Sequence, residues 1–274
     1  VQPGADRNIQ NNAGVAKMKK LIFAALLIPT LAMAQSPFDG TWKTRLDSLQ
    51  FSGKPDVYDI SNGVYECTSC VPPYKIKADG TDQKVPDHAY VDTEAVTIAS
   101  PTSIEITDKK GGKVLSTTTL TASKDGSKIA GKFTSNVGEK PTSGSFTEKR
   151  VAPGAPGSHV LSGSWMQDSV GDVSDAARTV TLQSTPNGIK IMWNGQTTDA
   201  KFDGKEYPTV GDPGKTMVTL KKISDNEFEE TDRRLGKVFD IIDWKVSADG
   251  KMMKSVDTDP MHGTKTSSVL EKQT

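Results

Sequence analysis

Short runs of about five to eight residues, rich in Thr, Val, Ile and Ser, follow one another from residue 37 to the C-terminus. Ser103-Ile104-Glu105-Ile106-Thr107 and Met217-Val218-Thr219-Leu220-Lys221 alternate apolar and polar positions with period two, the pattern of a strand with one buried face. Asn62-Gly63, Asn187-Gly188 and Asn194-Gly195, with Asp39-Gly40, Asp79-Gly80, Asp125-Gly126, Asp203-Gly204 and Asp249-Gly250, punctuate these runs as turns. Several should be type I′, because Gly and Asn tolerate the positive φ that a tight hairpin demands. No segment beyond residue 35 sustains a helical period for three turns. The nearest approach, Met166, Val170, Val173 and Ala177, predicts one short helix. The fold class expected is all-β: about eight to ten short strands per half, joined as an antiparallel meander that closes as a barrel, with a sandwich as the alternative.

The chain repeats itself. Thr107-Asp108-Lys109-Lys110-Gly111-Gly112-Lys113-Val114 returns as Thr231-Asp232-Arg233-Arg234-Leu235-Gly236-Lys237-Val238, 124 positions later. Ser123-Lys124-Asp125-Gly126 and Lys77-Ala78-Asp79-Gly80 return at the same offset, as Ser247-Ala248-Asp249-Gly250 and Lys201-Phe202-Asp203-Gly204. Gly40-Thr41-Trp42 is answered by Gly163-Ser164-Trp165 after 123. A register held that long means a duplicated domain. Val151-Ala152-Pro153-Gly154-Ala155-Pro156-Gly157-Ser158 has no apolar periodicity and reads as a connector. The expected organisation is therefore two tandem barrels, 37–150 and 160–274, joined by a linker at 151–159.

Residues 1–34 stand outside this pattern. Met18-Lys19-Lys20, the apolar run Leu21 to Leu31 and Ala32-Met33-Ala34 have the order of a secretory signal peptide, 18–34, cleaved after Ala34. Residues 1–17 are polar and are expected to lie upstream of the true start at Met18. The apolar run falls short of the roughly 20 residues that span a bilayer, and no second such run follows. We expect an exported protein, periplasmic or extracellular, with no integral membrane segment in the mature chain. Removing 1–34 takes away four basic residues and one acidic, moving the formal charge from zero to −3. That balance argues against a nucleic acid or an anionic membrane as partner.

Phe38-Asp39-Gly40-Thr41-Trp42-Lys43 resembles the opening of the calycins, the lipocalin and fatty-acid-binding-protein group of ligand-holding β-barrels, and Leu161-Ser162-Gly163-Ser164-Trp165 is a looser second copy. The resemblance implies that Trp42 and Trp165 each plug one end of a barrel. It implies a basic residue from a late strand across each indole: by position, Lys149 or Arg150 over Trp42, and Lys272 over Trp165. It also implies a small apolar ligand in an interior lined by residues such as Ile104, Ile106, Val218 and Leu220. The segments Arg45 to Asp56 and Met166 to Ala177 sit where such barrels carry a lid.

Cys67-Thr68-Ser69-Cys70 is the sharpest local feature. Aligning Asn62-Gly63 with Asn187-Gly188 sets it against the predicted turn Met192-Trp193-Asn194-Gly195, so the two cysteines would flank a two-residue turn. A structural disulfide suits an exported compartment. A redox pair is the alternative, but that chemistry places its cysteines at a helix N-terminus. A metal site needs about four ligands, and this pair supplies two.

Candidate chemistry elsewhere is sparse. Asp87, His88, Tyr90 and Asp92 form a polar loop, and His159 and His262 lie in no metal-binding spacing. Gly214-Lys215-Thr216 lacks the leading glycine of a phosphate loop. Asp257-Thr258-Asp259 begins like a calcium loop but puts Met261 at the third ligand. The basic tips Lys109-Lys110 and Arg233-Arg234 read as solvated hairpin ends. No catalytic residue and no cofactor is indicated, and protein partners are left open. The expected function is non-enzymatic binding of a small ligand, the alternatives being a structural module of the bacterial envelope with filled barrels and a secreted hydrolase.

Overall fold

A computed structural model describes residues 36–274. The expected upstream segment, 1–17, and the expected signal peptide, 18–34, lie outside the described residues. The first half forms β1 (Gly40–Thr44), β2 (Gln50–Gly53), β3 (Asp56–Ser61), β4 (Val64–Cys67), β5 (Tyr74–Lys77) and β6 (Gln83–Lys84). It continues with β7 (Thr93–Ser100), β8 (Ser103–Lys110), β9 (Lys113–Ala122), β10 (Lys128–Ser135) and β11 (Thr142–Pro153). The second half opens with β12 (Gly163–Gly171), β13 (Thr179–Thr185), β14 (Gly188–Trp193), β15 (Gln196–Lys201) and β16 (Tyr207–Val210). It ends with β17 (Met217–Ser224), β18 (Glu227–Arg234), β19 (Lys237–Val246), β20 (Met252–Asp259) and β21 (Thr264–Lys272). Among the described residues no helix is long and apolar enough to cross a membrane.

Antiparallel pairing gathers these strands into two barrel-shaped sheets, one closed and one nearly closed. Closure leaves few unpaired edges. Several predicted turns form, whereas at Asn187-Gly188 the turn shifts by one residue to Pro186-Asn187 and Gly188 opens β14, and Gly40 opens β1. Asn62 and Gly63 (φ +51° and +73°) join β3 to β4, and Asn194 and Gly195 (φ +44° and +82°) join β14 to β15.

The barrels do not divide the chain at residues 151–159. Barrel one runs β5-β4-β3-β12-β11-β10-β9-β8-β7-β6, and so includes the first strand of the second repeat. Barrel two runs from β1 through β13 to β21, where β21 pairs back onto β1 and also carries β2. Each repeat thus gives its G-x-W strand to the other barrel. The cause lies in the turn after β11. Gly154 N–H donates to Ser162 O at 3.1 Å and His159 N–H to Ile60 O at 2.9 Å, which folds 154–162 against barrel one. β12 then returns along β11 as the next strand of the meander. The position between β13 and β21 is left for β1.

The cores agree with this exchange. Trp42 packs with Leu182, Leu220, Phe228 and Met253 of the second repeat, and Trp165 packs with Ile60, Ile104, Ile129 and Leu120 of the first. Both indoles are fully buried. Each removes about 150–250 Å² from water, worth on the order of 4–6 kcal/mol, enough to anchor a short exchanged strand. Val218 and Leu220 are buried in barrel two, Ile104 in barrel one, with Ile106 packed beside it.

Two local expectations change. Met166 to Gly171 continues β12 instead of starting a helix, and only Asp175–Ala177 forms a 3-10 turn. A bulge at Asp168, opposite Thr147/Glu148, breaks the alternation of this strand, which lends its apolar residues a false helical spacing. The segments Arg45 to Asp56 and Met166 to Ala177, placed by resemblance at a lid, contain β2 and the end of β12, and lead from one barrel to the other. Leu49, Ala177 and Arg178 nevertheless border the interior of barrel two.

Candidate functional site

The closed ends share one geometry. Trp42 Nε1 donates to Phe38 O at 2.8 Å, and Trp165 Nε1 to Leu161 O at 2.9 Å, each four residues back. Lys272 Nζ lies 5.1 Å from the Trp42 ring and the Arg150 guanidinium 3.9 Å from that of Trp165. The cation–π partners are therefore crossed relative to the expectation from the halves, because the strands that carry the indoles are exchanged. Lys149 stacks on neither indole; it pairs at the surface with Asp168. The glycine of G-x-W also has its reason. A Cβ on Gly40 (φ +136°) would meet Lys272 Cε at 2.7 Å, and one on Gly163 (φ +131°) would meet the Ala152 carbonyl oxygen at 2.3 Å and Arg150 Nη1 at 2.9 Å. At both positions the positive φ and the cation passing over the strand favour glycine, and at Gly163 the neighbouring backbone adds to that.

Cys67 and Cys70 form a disulfide. Cys67 ends β4 and Cys70 lies in a loop of residues 68–73, so the pair closes a turn within that loop instead of flanking a two-residue hairpin. Cys67 is buried in the core of barrel one.

Barrel two is hollow above its Trp plug. A cavity of about 460 Å³ is lined on one side by Val180, Ile191 and Trp193 of β13 and β14. The strand order places β18, β19 and β20 opposite, and these carry Glu230, Asp232, Asp240, Ile242, Trp244 and Asp257 into it. Period two explains the row: Phe228, Glu230, Asp232 and Arg234 share the inner face of β18. Asp232 lies directly opposite Asp240, and Asp257 opposite Ile242. Trp244 Nε1 donates to Glu230 Oε2 at 2.8 Å, and the Ser255 and Ser268 hydroxyls meet at 2.8 Å.

Burial holds all four carboxyls above the ordinary carboxylate range. It pushes Asp240 up to about 7, with Asp257 and Asp232 adding like-charge repulsion, and Asp257 up to about 6. Glu230 is raised furthest by burial and then by Asp232, while burial raises Asp232 against the opposing pull of Arg234. The Oδ1 atoms of Asp232 and Asp257 and the Nε2 of Gln196 are buried without a hydrogen-bond partner. Among the described residues no cation pairs with any of these four acids, and no group of three or more His, Cys, Asp or Glu side chains is placed to hold a metal ion.

Barrel one carries aromatic rings at the matching places. The Phe146 ring lies over Gly131 and the Phe133 ring over Gly144, so close that a Cβ on either glycine would come within 2.2 and 2.6 Å of them. The cross-strand pairs Gly131–Phe146 and Phe133–Gly144 correspond to Ser255–Ser268 and Asp257–Thr266 in barrel two. In the same barrel, Tyr74 Oη donates to Glu94 Oε2 at 2.6 Å, and burial pushes Glu94 up to about 8.

Tyr90, from the polar loop of barrel one, reaches the mouth of barrel two. The Arg234 guanidinium lies between Tyr90 and Phe239, 4.5 and 3.9 Å from their centroids, and its Nε donates to Thr216 Oγ1 at 2.9 Å. Arg234 is thus part of the cavity wall and not a solvated tip. A cleft of about 670 Å³ lies on the far side of Arg234 and Phe239, bordered by Tyr74, His88 and Glu94 of barrel one and by Asp259 and His262 of barrel two. His88 meets the Tyr74 ring edge-on at 5.2 Å, and its Nε2 is buried without a partner.

Sequence reasoning singled out none of Gln196, Glu230, Asp240 or Trp244. The signal was present in the comparison of repeats, where Ile106, Ser116, Leu120 and Phe133 become Glu230, Asp240, Trp244 and Asp257 at offset 124. Ile106 and Phe133, apolar in the first copy, are acidic in the second, and Ser116 gains a carboxylate there, which marks where that copy stops being filled. Comparison with known proteins returns no matching family model, no similar curated protein and no matching solved structure.

Proposed function

We propose that this chain is an exported binding protein of two calycin-like repeats, in which barrel two encloses a small molecule and barrel one supports it. The observation that carries this reading is the contrast between the interiors. Phe133 and Phe146 occupy barrel one where barrel two has Asp257, Ser268 and a cavity of about 460 Å³. That volume falls within the range of about 300–1,000 Å³ typical of small-molecule sites. The buried Trp plugs with a cation across each support the calycin resemblance, and the order of charge, apolar run and small residues at 18–34 supports export.

The test transfers the filling of barrel one to barrel two. In a thermal-shift screen of metabolites, any ligand that stabilises the wild type should fail to stabilise Ser255→Gly/Ser268→Phe. Equal stabilisation of both proteins places the ligand elsewhere and contradicts the reading.

A further inference from the structure

We propose that barrel two selects an organic cation, an amine or quaternary ammonium on an apolar or aromatic body. This rests on the reading of barrel two as the binding barrel and names its ligand class. The two walls of the cavity differ in kind. Val180 and Ile191 offer an apolar surface on β13 and β14; Glu230, Asp232, Asp240 and Asp257 face it from β18, β19 and β20. The cations at the rim are already engaged. Arg178 Nη2 pairs with Asp175 at 2.8 Å, and Arg234 is stacked between two rings, bonded to Thr216 and 4.0 Å from Asp212.

An unpaired buried acid costs stability unless a proton or a counter-charge neutralises it. Four such acids on one wall give a cationic head its counter-charge, with Oδ1 of Asp232 and Asp257 free to accept its N–H groups. Trp244 and Phe239 bring indole and phenyl faces to the same space, and aromatic faces attract cations. Gln196, 8% exposed and with Nε2 unpartnered, supplies a donor for a hydroxyl or carbonyl on the same molecule. An anion would meet like charge on three strands.

Isothermal titration of the mature protein at pH 8 with three matched probes tests this: 2-phenylethylammonium, the neutral 2-phenylethanol and the anion phenylacetate. The ammonium should bind at least ten-fold more tightly than the alcohol, and phenylacetate should give no heat. Asp232→Asn/Asp257→Asn should weaken the ammonium at least ten-fold and leave the alcohol unchanged, with circular dichroism showing an intact fold. Should that pair fail to fold, Asp240→Asn carries the same expectation. An alcohol that binds as well as the ammonium, or an Asn variant with unchanged ammonium affinity, overturns the cation inference. If that binding is lost in Ser255→Gly/Ser268→Phe, barrel two remains the binding barrel. No heat from any of the three probes also overturns the inference.

Discussion

The Arg150 guanidinium lies 3.9 Å over the Trp165 indole, and the two residues come from different copies of the repeat. Nη1 and Nη2 of the same guanidinium donate to the carbonyls of Ser162 and Val160, and Nε to that of Gly126. Arg150→Met removes a cation–π contact of about 0.5–2 kcal/mol and leaves carbonyls short of a donor, at about 1–3 kcal/mol for a buried group. The expected loss is about 2–4 kcal/mol. Lys272→Met, at a ring 5.1 Å away, should cost about 1 kcal/mol. Urea unfolding of both variants checks the order, and equal losses would contradict it.

The exchange of strands makes a prediction about fragments. β3 to β12 are contiguous, so residues 56–171 hold every strand of barrel one and should fold alone. Residues 160–274, the second repeat as sequence defines it, lack β1 and should not unfold cooperatively until a peptide of residues 36–44 is added. Near-ultraviolet circular dichroism reads both. A cooperative 160–274 fragment without the peptide would contradict the topology.

The buried acids of barrel two set a pH dependence. Unfolded carboxyls titrate near 4, whereas folded Asp257 and Asp240 titrate at about 6 and about 7. Between those values the folded chain binds more protons than the unfolded chain, so stability falls as pH rises through about 4 to 7. Asp257 shares one wall of the cavity with Asp240, Glu230 and Asp232, and Arg178 and Arg234 are the cations that border the same space. Asp257→Asn should therefore raise stability at pH 8 by about 1–2 kcal/mol and have little effect at pH 4. Melting temperatures at the two pH values decide, and a variant less stable at pH 8 would refute the account.

Cys67 and Cys70 close a short loop, for which loop entropy gives about 2 kcal/mol. Cys67→Ser/Cys70→Ser should destabilise the 56–171 fragment by that amount. Fragment stability unchanged by the double substitution would show that the disulfide does not staple barrel one.

The all-β class, the hairpin turns, the duplication and the Cys67–Cys70 pair could all be read from residues alone, because each depends on neighbours in sequence. The exchange of β1 and β12 could not. Gly40-Thr41-Trp42 and Gly163-Ser164-Trp165 present nearly the same edge, so either fits either barrel, and the choice falls to the loop at 154–162. The crossed partners Lys272 and Arg150 follow from that choice. The acid row stayed hidden for another reason. On β18 the outer positions Glu227, Glu229, Thr231 and Arg233 are as polar as the inner Glu230 and Asp232, which leaves no alternation to betray an inward charge.

The most direct measurement is a native mass spectrum of the protein recovered from its own host, beside Ser255→Gly/Ser268→Phe prepared in the same way. The account predicts extra mass on the wild type that leaves on denaturation, and a bare polypeptide for the variant. A bare wild type, or extra mass that the filled variant retains, would contradict a binding site inside barrel two.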